Sequence, residues 1–409
     1  MRSILNYPNS SLPQLLLVSL IVLSISFSCK QTSSTDQSSK TQNSNEKMLA
    51  ILADVAKKLD NPKNTYAEKA KLKECDAQIA AAQSPEQKMQ LAFKKAMILL
   101  EYGDEQQAVT LFEQLYKAVV NLPKPRIGAL NALGMAYMRL GERSNCFNNH
   151  GSDACIMPIK GNGIYHDKGP TGMAIQAFQA ALKEEPDNYD AMWLLNIAYM
   201  TINEYPKAVP KGWLIPGLDA PGSNPVKPFT DIAPDLKLDI KNRAGGLIID
   251  DFNNDGYLDI VNSAWGMDDP MHFFRNNANG TFTDVSGASG LSNFTGGLNM
   301  MQADYNNDGW MDILVLRGAW QGQAGFGDQP NSLFKNNGDG TFTDVTIDAG
   351  LLTYHPTQAA TWNDFNNDGW IDLFIGNETT DPATPHSCEV YINNQNGAFK
   401  NVTIDAHCD

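Results

Sequence analysis

Three copies of a nine-residue pattern of oxygen-bearing side chains carry the clearest chemistry in this sequence. In the first, Asp251, Asn253, Asp255 and Asp259 hold positions one, three, five and nine, with Gly256 at six. The arrangement returns as Asp304, Asn306, Asp308 and Asp312 with Gly309, and as Asp364, Asn366, Asp368 and Asp372 with Gly369. A hard cation of Ca²⁺ size takes several oxygen ligands from one tightly coiled loop, and glycine at six permits the turn. Position seven (Tyr257, Trp310, Trp370) offers its backbone carbonyl, leaving the aromatic ring to pack. Three carboxylates drawn within roughly 4 Å repel by about 1 kcal/mol per pair in water and about 4 at intermediate dielectric, and a divalent ion removes that repulsion. A solvated surface turn needs one Asp-Gly, not the whole pattern three times over. The pattern therefore predicts about three structural Ca²⁺ ions. The loops are not EF-hands, because Asn262, Val315 and Ile375 stand where a bidentate Glu belongs.

Short runs rich in strand formers flank these loops, at 247–249, 260–261, 313–316 and 373–375. A second motif travels with the first. It opens on Asn276-Asn277, Asn336-Asn337 and Asn393-Asn394, passes through a Gly, and reaches Phe282, Phe342 and Phe399, which reads as a hairpin turn plus strand. Residues 229–232 (Phe, Thr, Asp, Ile) look like an earlier fragment of it. One unit thus holds several short strands in somewhat under about sixty residues, the size of a propeller blade.

Residues 48–205 carry helical spacing instead, with Met89, Phe93 and Met97 beside Leu91, Ile98 and Leu99. The stretch 129–141 resembles the first helix of a tetratricopeptide repeat, in which small Gly134 permits close packing and Gly141 ends the helix. A matching helix follows over 174–182, and the next starts at Tyr189. Between them an insertion at 142–171 holds Cys146, His150, Cys155 and His166, which read either as a disulfide staple beside surface histidines or as a metal or ligand site. A proline-rich linker spans 206–227, leaving 228–409 for the repeats.

At the N-terminus, Arg2 precedes an apolar run over 15–27, too short for a comfortable membrane span and suited to a signal peptide over 1–28. Ser28-Cys29 resembles a bacterial lipoprotein signal, which predicts acylation of Cys29 and a membrane anchor at the cell envelope. Residues 29–47, rich in Ser, Thr, Gln and Asn, read as a disordered tether. Export would place the other cysteines in an oxidising compartment, where Cys146 with Cys155 and Cys388 with Cys408 are candidate pairs and Cys75 is left over. The net charge of −15, with no basic run, argues against nucleic acid as a partner.

Together these features resemble the FG-GAP or VCBS repeats of integrin α subunits and their bacterial relatives, from about residue 228 onward. With the lipoprotein-like leader and the helical half, the chain is similar to the bacterial cartilage-acidic-protein family, whose C-terminal ASPIC/UnbV domain has no counterpart in these 409 residues. The resemblance implies a multi-domain α + β protein: a tetratricopeptide-like helical region, then all-β propeller-type blades with calcium in each blade's loop. Only three calcium repeats are present, so the expected propeller is incomplete: either the chain is a shortened member of the family, or its open edges pair with another chain, by self-association among other ways.

The function expected from this reading is calcium-dependent binding of a protein or glycan at the envelope. No residue is assigned a catalytic role, because no Gly-x-Ser-x-Gly elbow, His-Glu-x-x-His helix or phosphate loop occurs. A rival propeller-based enzyme, a hydrolase or an oxidoreductase, would draw on Asp268, Asp269, His272, His355 or His386, and a third reading is a structural scaffold. Among the tryptophans Trp265, Trp310, Trp320, Trp362 and Trp370, Trp320 is the best ligand-stacking candidate, because Trp310 and Trp370 recur at one place in the repeat.

Overall fold

The computed structural model describes residues 34–146, 157–220, 229–240, 242–321 and 323–408. Contacts divide the chain into Met1–Lys40 and Thr41–Asp409. Of the first unit only 34–40 is described, as helix, so the signal peptide and Cys29 lie outside the described residues. Among the described residues no helix is long and apolar enough to cross a membrane.

The first helix, α1 (Ser34–Leu59), takes up residues 34–47 of the expected tether, whose first residues, 29–33, lie outside the described residues. The physical reason lies in the second unit. Met48, Leu52, Val55 and Leu59 recur at helical spacing and are all buried, Met48 and Leu52 in one apolar cluster with Phe252, Phe273 and Phe334. Asn45 Oδ1 accepts the Asp344 amide at 2.7 Å, and Lys58 Nζ donates to the Gly325 carbonyl at 2.7 Å.

Among the described residues the long helices that follow are α2 (Glu68–Ala81), α3 (Pro85–Glu101), α4 (Glu105–Val119), α5 (Pro123–Cys146), α6 (Gly169–Glu184) and α7 (Tyr189–Thr201). Each packs on the next around a core containing Phe112, Phe178 and Leu195. Caps mark several starts: Ser84, Asp104 and Asn188 accept from Gln87, Gln107 and Ala191 amides. Gly134 has the close-packing role expected of it, since a Cβ there would lie 2.5 Å from the Phe178 ring. Gly141 does not end its helix. The helix α5 runs on to Cys146, and at Gly141 a Cβ would meet Thr171 Oγ1 of α6 at 2.8 Å, so this glycine too serves packing. The insertion holds an exposed His166, whereas His150 and Cys155 lie outside the described residues. Val209 and Trp213 of the proline-rich stretch pack onto the helical core, as does Tyr205 just before it.

The remainder forms three four-stranded antiparallel sheets, each a meander in chain order. Sheet one holds β1 (Ala244–Asp250), β2 (Asp259–Ala264), β3 (His272–Asn276) and β4 (Phe282–Asp284). Sheet two holds β5 (Asn299–Ala303), β6 (Asp312–Leu316), β7 (Ser332–Asn336) and β8 (Phe342–Asp344). Sheet three holds β9 (Thr357–Asn363), β10 (Asp372–Asn377), β11 (Glu389–Asn393) and β12 (Phe399–Asn401). Strand alternation sends Ile313 and Val315 to a core shared with Phe252 of sheet one, and Leu314 and Leu316 to a core shared with Leu373 of sheet three. Sheet two is thus buried on both faces.

Two further expectations are corrected here. Residues 229–232 form no strand, and Phe229 is 93% exposed, with no strand among the described residues before them to pair with. Cys388 and Cys408 are separate thiols. The β11–β12 register pairs Tyr391 with Asn401, so its continuation would set Cys388 opposite Ile404, while Cys408 lies beyond on a terminal turn. Cys75 is a buried thiol.

Candidate metal centres

Each nine-residue pattern forms the connection between the first two strands of its sheet, and all three connections fold alike. The position-one aspartate accepts two amides: Asp251 Oδ1 from Asp255 at 3.0 Å and Oδ2 from Gly256 at 2.7 Å. Asp304 does the same with Asp308 and Gly309 at 3.0 and 2.8 Å, and Asp364 with Asp368 and Gly369 at 3.1 and 2.9 Å. Asn253, Asn306 and Asn366 each accept the position-five amide through Oδ1. Asp255, Asp308 and Asp368 in turn accept the amides of Tyr257, Trp310 and Trp370. The glycine at six has φ of 86° in every copy, where a side chain would be strained. The sequence thus coils each loop on its own side-chain oxygens, because each side chain is the acceptor for an amide two to five residues on.

Position nine differs from the rest. Asp259, Asp312 and Asp372 are buried, and their Oδ1 atoms accept the amides of Asn276, Asn336 and Asn393 at 2.8 Å each. Burial pushes Asp312 up to about 8, with Asp308 and Asp304 adding repulsion, while the Asn336 amide pulls the other way. Burial raises Asp259 as well. Asp368 is held below the usual carboxylate range by the Trp370 amide.

A divalent cation fits this donor set by its chemistry: in all three copies oxygen side chains stand at positions one, three, five and nine of one tight turn. The outer oxygen of the position-nine carboxylate meets the position-two amide, from Tyr305 to Asp312 Oδ2 at 3.3 Å and from Phe365 to Asp372 Oδ2 at 2.9 Å, and the Phe252 amide lowers Asp259 in the same way. Among the described residues no three carboxylate, imidazole or thiolate side chains converge as a ready-made cage. Asparagine oxygens and main-chain carbonyls would have to complete any shell. Competing donors also sit at position five: Lys335 Nζ lies 3.3 Å from Asp308 Oδ2, and Gln395 Nε2 donates to Asp368 Oδ2 at 3.1 Å. Of the position-seven aromatics, Trp310 covers Gly338, where a Cβ would lie 2.8 Å from the indole, and Tyr257 is 47% exposed.

The sequence reading overlooked the residue at position four. Asn254, Asn307 and Asn367 all have positive φ, near 56°. Asn254 Nδ2 donates to the Gly309 carbonyl of the second loop at 2.9 Å, and Asn307 Nδ2 to the Gly369 carbonyl of the third at 3.2 Å. Asn336 Nδ2 reaches back to the Phe252 carbonyl at 2.8 Å, and Asn393 Nδ2 to the Tyr305 carbonyl at 2.7 Å. Adjacent loops are therefore laced together in both directions. The signal was present as the Asn-Asn pair that recurs in both motifs.

The other end of the sheets gathers the remaining candidates. His355 and His386 meet Nδ1 to Nδ1 at 2.9 Å, with Asp328 Oδ1 3.7 Å from His386 Nε2. Trp320 is 58% exposed, has φ of 67°, and its amide donates to Glu378 Oε2 at 2.7 Å. Asp268 is instead engaged by Arg243 at 2.8 Å, and His272 faces Asp284. A cavity of about 250 Å³ between α1, α2 and sheet one is lined by Tyr66, Glu68, Arg243, Trp265 and Asp268.

A family model described as FG-GAP-like repeat matches residues 251–315 and 323–375. Cartilage acidic protein 1 of Xenopus tropicalis is 26% identical over 153 residues, which are 36% of this chain and 22% of that protein. Cartilage acidic protein 1 of Homo sapiens is 34% identical over 95 residues, 23% of this chain and 13% of that protein. The chain spans less than a quarter of the length of either relative. The two stretches that match the FG-GAP-like repeat contain all three nine-residue loops.

Proposed function

We propose that this is an exported calcium-binding repeat protein that binds a protein or glycan at the cell envelope, held to the membrane through Cys29, with calcium in a structural role. The carrying observation is the threefold recurrence of one loop geometry. Asp251, Asn253, Asp255, the Tyr257 carbonyl and Asp259 would hold the first ion, and the equivalent residues the other two. Calcium there would neutralise the clustered carboxylates, and the lacing between loops would carry that rigidity from sheet to sheet. We assign ligand binding to the opposite end, where Trp320 is exposed with its amide held by Glu378 and offers a stacking face, and where the strand connections also carry the His355–His386 pair.

Calorimetric titration of the chain with calcium tests the reading directly. The expected result is about three ions bound and a calcium-dependent rise in melting temperature, because an ion that binds only the native state stabilises it by mass action. No binding would sink the calcium assignment and turn attention to the helical half.

A further inference from the structure

The cavity of about 250 Å³ between α1, α2 and sheet one has no residue of the metal loops in its lining. It has room for several waters or for one small organic molecule. The lining is of two kinds. Ala56 and Leu59 of α1 and Met267 after β2 are apolar, and the rings of Tyr66 and Trp265 stand at 87° to each other with centroids 4.2 Å apart. Asp60, Glu68, Lys69, Arg243 and Asp268 carry charge, and Gln321 adds an amide.

The charges do not cancel. Asp268 engages both cations: Arg243 Nη1 donates to its Oδ1 at 2.8 Å, and Lys69 Nζ lies 3.6 Å from its Oδ2. Glu68 has no such partner among the described residues. Burial raises its carboxyl, Arg243 and Lys69 lower it by charge alone, and Asp104 and Asp268 add repulsion. A partly buried carboxylate without a counter-ion is costly, and a cation in the cavity would relieve that cost. Gln321 is 7% exposed, and its Oε1 is buried without a hydrogen-bond partner. The lining thus offers two unmet acceptors, one of them charged, together with aromatic rings and an apolar surface.

We propose that this cavity binds a small organic cation, an alkylammonium whose N–H groups meet Glu68 and Gln321 Oε1 and whose aliphatic stem lies against Ala56, Leu59 and Met267. An ammonium carries three donors and no acceptor, which complements that pair, and aromatic rings attract it further. A carboxylate ligand would have to displace Asp268 from Arg243, and a neutral polyol would leave the charge of Glu68 uncompensated. A bare divalent ion lacks ligands here, since among the described residues no three carboxylate, imidazole or thiolate side chains converge. The net charge of −15 draws cations toward the chain as a whole. The inference rests neither on calcium in the loops nor on the assignment of Trp320.

Three probes with one stem, n-hexylammonium, 1-hexanol and hexanoate, differ only in the head group, and calorimetric titration of each into the full chain tests the proposal without any substitution. Hexylammonium is expected to bind one to a chain with a Kd of about 1 mM or tighter, and the other two at least about tenfold more weakly. Glu68→Gln keeps the shape of the side chain and removes its charge. With folding checked by circular dichroism, this variant is expected to weaken hexylammonium binding by about ten- to a hundredfold, the loss of a hydrogen bond to a charged group. No saturable binding of hexylammonium, hexanol or hexanoate bound as tightly, or an unchanged affinity in Glu68→Gln would each overturn the proposal.

Discussion

At the scale of single residues, the aspartates of one loop perform different work. Asp308 is a loop acceptor near solvent, whereas Asp312 also holds the buried amide of Asn336 and, at 3.3 Å, that of Tyr305. Asp308→Ala should therefore remove about one bound ion while shifting calcium-free stability by roughly 1 kcal/mol or less. Asp312→Ala should remove the same ion and cost about 2–4 kcal/mol without calcium, because buried donors lose their acceptor. Calorimetric stoichiometry and urea unfolding in chelator separate the two outcomes. Burial also sets a pH dependence. Asp312 is pushed up to about 8, and Asp344 to about 6 against the pull of Arg317, from an unfolded value of about 3.9. The folded chain then binds more protons than the unfolded one across that window. Calcium-free stability should fall as pH rises from about 4 to about 8, seen as a lower urea midpoint at pH 8 than at pH 5. Calcium binding at the second loop must expel that proton, so it should tighten over the upper part of the window. The loop oxygens were legible in the sequence because they act within nine residues. Their partners Asn336 and Asn393 were not, since each meets a carbonyl 84 or 88 residues away.

Among the elements, α1 shows where composition misleads. A segment poor in apolar residues promises disorder, yet from Met48 onward four apolar side chains share one face, and the β half supplies a surface for them. The stripe was readable in Met48, Leu52, Val55 and Leu59, but its target, a cluster of phenylalanines more than two hundred residues later in the chain, was not. Leu52 is 3% exposed within that cluster. Leu52→Ala should cost about 2–4 kcal/mol of stability, read out through the near-ultraviolet signal of the β half although the substitution lies in a helix. No loss there would mean that α1 is dispensable to the sheets. The strands themselves were legible because β-formers flank a strong turn signal on both sides. The glycine at 141 was misread, since a helix-ending glycine and a packing glycine look the same until the neighbouring helix is in place.

Across the whole molecule, the sequence divides sharply into a helical half and a strand half, but the structure joins them. Tyr66 sits edge-on to Trp265 at 4.2 Å, Lys69 lies 3.6 Å from Asp268, and α1 shares its core with sheets one and two. A boundary drawn from composition cannot register such contacts, because they come from surfaces that exist only once both halves are folded. If the halves form one cooperative body, an ion bound only by the loops must stabilise the distant helices equally. At a hundredfold excess over Kd each site contributes about 2.7 kcal/mol, so three sites contribute about 8. For a body of this size that raises the melting temperature by on the order of 10 °C. The helical signal at about 222 nm and the tryptophan signal should then share one midpoint and move together as calcium is added. A helical midpoint that stays fixed while the tryptophan midpoint climbs would show that the helices fold independently of the loops, and that the contacts at Trp265 and α1 do not couple them.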